Sequence, residues 1–187
     1  MKIRDLDAVR TDQMRHNIAF SVPIFAYSIE NWSDHKEEIL SLMELDKEEF
    51  HETDYFKFHR NGIQPTYASK FFEIISPALD EFNGIYPNKF TISNCWAQKY
   101  SRGCLHPLHN HGALGYSAIF YASLESDHQP TSFFAPYLDF IEGDVIEYVP
   151  QVSEGDIVFF PSALMHQCNV VQSDLPRVII SFNIKNA

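Results

Sequence analysis

Two hydrophobic periods divide the chain near residue 88. Before that point apolar residues recur at helical spacing. In the stretch that opens at Asp34, residues Ile39, Leu42, Met43 and Leu45 share one face behind an acidic first turn, with Asp34 as the expected N-cap and Glu37 three residues on. From Thr66 to Phe82 a longer stripe runs through Tyr67, Phe71, Ile74, Ile75, Ala78, Leu79 and Phe82, the pattern of a helix packed on a large apolar surface. Pro77 interrupts it. Either the helix kinks there, or Ser76 caps a second helix with Pro77 at its first position, ending near Asn83-Gly84.

After Pro87 the period becomes two. Phe90, Ile92, Trp96 and Tyr100 alternate with Thr91, Ser93, Cys95 and Lys99, which predicts one strand whose aromatic face also carries Asn94 and Gln98. Further β-rich runs follow at Tyr116 to Leu124, Thr131 to Ala135, Val145 to Val149, Ile157 to Phe160, His166 to Val171 and Arg177 to Ile184. Turn residues separate them at Ser153-Glu154-Gly155-Asp156, Pro161-Ser162 and Ser173-Asp174-Leu175-Pro176. Many short strands so punctuated predict a mainly β sandwich or barrel with N-terminal helices. A single domain over 1–187 is expected, with residues 1–88 a helical support region and 89–187 the β core.

Composition narrows the functional classes. With 187 residues, 45% of them hydrophobic and 14% aromatic, the chain can bury a core and does not read as disordered. The balance of 14 Lys+Arg against 25 Asp+Glu gives a charge of −11, which argues against a duplex nucleic-acid partner and an acidic membrane surface. No apolar run reaches the length of a membrane helix, and Met1 to Asp7 lacks the apolar stretch of a secretory signal, so a cytoplasmic location is expected. Cys95, Cys104 and Cys168 are widely spaced and odd in number, which suits reduced thiols better than a disulfide framework.

The chemistry lies in the histidines. In His109-Asn110-His111 the two imidazoles are i and i+2, so an extended backbone points both to one side. His166, five residues after Pro161, supplies a third nitrogen, and three protein ligands with open positions suit a reactive metal centre rather than a closed structural one. Arg177 opens an otherwise apolar strand, where its planar fork would suit a carboxylate. The bland alternative pairs it with solvent or Asp174.

The wider pattern resembles a known family. Tyr100-Ser101-Arg102-Gly103, five residues and then His109-x-His111 look like the Tyr-x-x-Gly-x5-His-x-Asp segment of 2-oxoglutarate/Fe(II)-dependent dioxygenases. Gly155-Asp156-Ile157-Val158-Phe159-Phe160-Pro161 leading to His166, with Arg177 eleven residues on, resembles that superfamily's distal histidine and cosubstrate-binding arginine. The resemblance covers about residues 90 to 184 and is nearest in style to an oxygenase branch with a His-x-His segment. It implies a double-stranded β-helix, a jelly-roll or cupin-like barrel, with Fe(II) and 2-oxoglutarate as cofactor and cosubstrate. It further implies that His109, His111 and His166 ligate iron, that Arg177 and Tyr100 bind 2-oxoglutarate, and that Gln98 stands where relatives carry an Asn. The implied reaction couples oxidative decarboxylation of 2-oxoglutarate to hydroxylation of a small-molecule or peptide substrate.

One departure stands out. His111 occupies the place of the usual carboxylate. Either three imidazoles hold the metal, or His111 supports the site from behind while water, another side chain or His106 completes the sphere. The same residues also resemble the two cupin motifs, without the glutamate expected soon after His111, where Ala113, Leu114, Gly115 and Tyr116 stand. A cupin-type three-His enzyme without 2-oxoglutarate and a metal-free β-barrel binding module are the alternatives. Only the oxoglutarate reading explains Arg177 with Tyr100.

Overall fold

The computed structural model describes residues 21–59, 62–86 and 89–186; the expectation for Met1 to Asp7 lies outside them, as does Pro87. The first half supplies β1 (Phe25–Ser28), α1 (Trp32–Ser41), β2 (Asp46–Lys47), β3 (Glu52–Thr53), α2 (Tyr55–His59), α3 (Ala68–Ile74) and α4 (Ser76–Ile85). The second half is β4 (Phe90–Tyr100), β5 (His106–His109), β6 (Tyr116–Ser123), β7 (Ser132–Leu138), β8 (Val145–Tyr148), β9 (Asp156–Pro161), β10 (Met165–Cys168) and β11 (Arg177–Asn186). All strand pairs are antiparallel. They form a seven-stranded sheet, β1-β9-β6-β11-β4-β3-β2, and a four-stranded sheet, β5-β10-β7-β8. This is the double-stranded β-helix. The first half is not purely helical, since β1, β2 and β3 extend both edges of the larger sheet, and strands this short carry no readable period.

Two cores result. Between helices and the larger sheet lie Trp32, Ile39, Tyr67, Phe71, Phe82 and the even-numbered residues Val178 to Ile184 of β11; between the sheets lie Tyr100, Tyr121, Phe133, Phe160 and Ile179. Strand β6 is buried on both faces, so its sequence is a continuous apolar run rather than an alternation. The stripe ending at Phe82 does cover a large surface: the Phe82 ring stacks on Phe159 at 4.6 Å and meets Phe25 and Tyr116 edge-on. It divides into α3 and α4 with Pro77 in the first turn of α4, the second of the two alternatives. Ser76 is not its cap, however; its hydroxyl donates back to the Glu73 carbonyl. Nor does Asp34 cap α1, which begins at Trp32 behind a left-handed Asn31. Burying Trp32 and donating its Nε1–H to the Ala122 carbonyl at 3.1 Å sets that start instead.

Strand β4 departs from simple alternation. Asn183 pairs with Asn94 but Ile184 pairs with Ile92, so Ser93 is one residue extra and forms a bulge. Phe90 and Ile92 therefore pack on the helix side with Cys95 and Ala97, whereas Asn94, Trp96, Gln98 and Tyr100 face the other way. The single aromatic face expected from the alternation is thus split in two. No helix among the described residues is long and apolar enough to cross a membrane.

Asp54 ties the N-terminal segment to β4. It is fully buried, accepting the Ala97 N–H at 2.8 Å and the Tyr67 hydroxyl at 2.9 Å. Burial raises its pKa to about 6 despite those bonds. The folded state therefore holds this proton more tightly than the unfolded chain, and the favourable contribution is lost as pH rises from about 4 to about 6. Relative to Asp54→Asn, the wild type should lose up to about 3 kcal/mol over that window in urea unfolding. Parallel pH profiles for the two proteins would rule this out.

Candidate metal centre

Pairing of β10 with β5 sets His166 directly opposite His109. His111 follows β5 in a turn held by its own N–H to the Ser162 carbonyl at 2.9 Å. One donor atom from each of the three lies within 4.8 Å of the others. His106 is not part of this group, although its ring stacks on His109 at 4.0 Å.

Hydrogen bonds orient each ring. His109 Nδ1 meets the Pro107 carbonyl at 2.7 Å and His166 Nδ1 meets the Leu164 carbonyl at 2.9 Å. A carbonyl only accepts, so each Nδ1 carries the proton and each Nε2 keeps a lone pair. His111 Nδ1 lies 3.0 Å from Asn183 Oδ1 and 2.9 Å from Ser117 Oγ, and Ser117 also donates to Asn183 Oδ1. Its Nε2 is likewise the nitrogen left over. Burial lowers all three pKa values, that of His111 to about 4, so the rings are neutral near pH 7. Neutral rings with free Nε2 lone pairs, each held by a partner behind it, have the chemistry of a metal donor set.

The turn between His111 and β6 requires Gly115. At its φ of +85° a Cβ would stand 2.4 Å from the Ile184 carbonyl oxygen. That close approach brings His111 against Asn183 of β11.

Arg177 is completely buried at the far side of a narrow cavity that the three histidines also line. The alternative partner, Asp174, is taken by Arg102 at 2.7 Å. Instead the guanidinium donates to Cys168 Sγ at 3.1 Å and Thr131 Oγ1 at 2.8 Å and lies over the rings of Tyr100 and Tyr121. Its Nε has no partner. No salt bridge to it is found among the described residues, so a full charge is buried on neutral groups with a donor to spare.

Gln98 and Tyr100 line the same cavity, with their polar ends turned to His106. Gln98 Nε2 lies 2.9 Å and Tyr100 Oη 3.1 Å from His106 Nδ1, while Gln98 Nε2 also reaches His51 Nε2 at 3.2 Å. His51 stacks on His106, and its Nδ1 is buried without a partner. His51, Ser117, Thr131 and Cys168 escaped the sequence reading, because none lies in a motif and their places depend on pairings across the sheets.

A buried charge without a counter-ion is costly before any ligand arrives. Arg177→Met should leave the ligand-free protein at least as stable as the wild type in urea unfolding. A loss greater than about 2 kcal/mol would mean that the neutral contacts alone satisfy the guanidinium.

Comparison with known proteins bears on the fold and on the segment that carries these residues. The family model described as "Putative 2OG-Fe(II) oxygenase" matches residues 94–183. A search of curated protein sequences returns no match. Among solved structures the chain is similar to HygX from Streptomyces hygroscopicus with nickel, 2-oxoglutarate and hygromycin B bound (TM-score 0.59, 11% identity, covering 88% of this chain and 83% of that one). It is similar also to the viral collagen prolyl hydroxylase from Paramecium bursaria Chlorella virus-1 in its 2-oxoglutarate complex (TM-score 0.56, 13% identity, 86% and 94% covered). A third likeness is a 2OG-Fe(II) oxygenase family oxidoreductase from Burkholderia pseudomallei (TM-score 0.59, 9% identity, 81% and 76% covered). At these identities the structures speak for the fold, and the family model speaks for the segment that carries the three histidines and Arg177. Taken together, residues 94–183 match the oxygenase family model, and the fold is that of these solved oxygenases.

Proposed function

We propose that His109, His111 and His166 hold Fe(II) through Nε2, that 2-oxoglutarate lies between them and Arg177, and that the protein couples decarboxylation of 2-oxoglutarate to hydroxylation of a substrate. The observation that carries this reading is the buried, partly unpartnered guanidinium of Arg177 in a cavity shared with the histidines. The distal carboxylate of 2-oxoglutarate is the counter-ion it lacks, and two N–H groups on one edge of its fork match the two carboxylate oxygens. A cupin-type enzyme without this cosubstrate leaves the buried charge without a purpose.

Iron bound there would supply oxygen activation, with O2, 2-oxoglutarate and R–H giving CO2, succinate and R–OH. The chain's own groups do the positioning. Pro107, Leu164 and Asn183 hold the three rings so that little reorganisation is needed when metal binds. Thr131 and Cys168 keep Arg177 extended toward the cavity. Tyr100, raised in pKa by burial, stays a neutral hydroxyl and supports the guanidinium through its ring. Because His111 replaces a carboxylate, the protein ligands bring no negative charge, and the cosubstrate's own carboxylates must offset the metal and Arg177.

Anaerobic Fe(II) with 2-oxoglutarate should give the weak visible charge-transfer band of a chelated complex. His109→Ala and His166→Ala should abolish stoichiometric iron, whereas Arg177→Met should keep it and weaken 2-oxoglutarate by 2 to 4 kcal/mol, roughly 30- to 1000-fold. Equal 2-oxoglutarate affinity in wild type and Arg177→Met would remove the cosubstrate from the reading. His111→Asp should retain iron while His111→Ala loses much of it; iron content unchanged in both would take His111 out of the ligand set.

A further inference from the structure

A cleft of about 390 Å3 opens beside the histidines. Its volume equals roughly a dozen waters, at the lower end of the range for small-ligand sites. Tyr55, Phe56 and Trp96 give it ring walls, and Thr53, Asn110 and Asn183 give it neutral polar groups, together with four histidines. Among the described residues it is lined by no Asp, Glu, Lys or Arg, in a chain where these make up 21% of residues.

The described charged residues beside the lining positions of β3 and α2 are engaged elsewhere. Glu52 pairs with Lys99 at 3.0 Å, Asp54 is bonded to Tyr67 and Ala97 beneath the sheet, and Lys57 pairs with Glu44. Thr53 and Tyr55, which alternate with Glu52 and Asp54, are the residues that face inward. Tyr55 meets Trp96 edge-on at 5.3 Å, and Phe56 stands 43% exposed at the rim. Both acceptor contacts of Asn183 run through Oδ1, which leaves its Nδ2 hydrogens as donors on the cleft wall.

An ionised group entering such a place gives up water and meets no oppositely charged side chain among the described residues, and the metal's charge is offset by the cosubstrate's two carboxylates; a carbonyl meets an amide donor, and a ring or apolar flank meets ring faces. Building on the Fe(II)/2-oxoglutarate reading above, we propose that the cleft receives an uncharged group bearing a carbonyl or amide and an aromatic or apolar flank. Free amino acids, phosphates and other ions are thereby disfavoured as substrates. Both a blocked residue within a peptide and a neutral small molecule have this chemistry.

The test uses three phenylalanine derivatives of different charge: N-acetyl-L-phenylalaninamide, anionic N-acetyl-L-phenylalanine and cationic L-phenylalaninamide, which lacks the acetyl group. Each is titrated into 15N-labelled protein loaded with Zn(II) and 2-oxoglutarate while the two indole N–H signals are followed. Trp96 lines the cleft, and Trp32, bonded to the Ala122 carbonyl in the helix-side core, is the internal control. The neutral probe should move the Trp96 signal alone, with a Kd about tenfold or more below those of the charged probes. Phe56→Lys, a change at an exposed rim position, should narrow that gap for the anionic probe. A blocked tripeptide with central Phe assigns the source: tighter binding than the single residue means a peptide, equal binding a small molecule. Charged probes that bind as well as the neutral one would overturn the proposal. So would silence at Trp96 in a preparation whose Fe(II)/2-oxoglutarate band is intact; absence of that band would instead overturn the metal reading, and this proposal with it.

Discussion

Strand β11 is hydrogen-bonded on both sides, to β4 and to β6, and this double pairing is the constraint from which the molecule is built. Successive side chains of a strand point to opposite faces. Val178, Ile180, Phe182 and Ile184 therefore close the core beneath the helices, while Arg177, Ile179, Ser181 and Asn183 look toward the smaller sheet. Fold stability and site geometry share one backbone ladder. A slip of one residue would exchange the two sets, burying a guanidinium and an amide among phenylalanines, so the apolar face enforces the register that the polar face needs.

The electrostatics of the centre follow from what is missing as well as what is present. Three imidazoles are kept neutral by burial, helped at His111 and His166 by the neighbouring rings, and a guanidinium is kept charged on thiol, hydroxyl and ring partners. The described part of the site carries no anion. Under the proposed function a doubly negative cosubstrate would be held from both ends, by the metal and by Arg177.

The architecture and the three-His group were legible because they rest on local signals. An i, i+2 histidine pair, apolar runs bounded by Pro and Gly, and an arginine inside an apolar strand all survive into three dimensions. What could not be read depends on pairing between distant segments. Strand alternation puts Asn183 on the face of Arg177, but the Gln98–His51 contact spans 47 residues, and no periodicity links such partners. Asp34 matched the local rule for a cap but lost to tertiary packing, which starts the helix where Trp32 can be buried. Gln98 lines the cavity shared with Arg177, and the contacts of its amide nitrogen with His106 and His51 come from pairings that the alternation of its own strand does not show.

The bulge at Ser93 gives β4 two reading frames joined by one residue of slack. On its N-terminal side the frame is set by Phe90 and Ile92 against the helices; on its C-terminal side it is set by Asn94, Trp96, Gln98 and Tyr100 against the cavity. Gain or loss of a residue before the bulge changes phase only for the first half, and the bulge itself is the natural place to absorb it. The same change between Asn94 and Tyr100 would turn every following site residue onto the helix face. The chain is thus free to vary in length and packing at the foot of this strand while the end that faces the histidines keeps its phase.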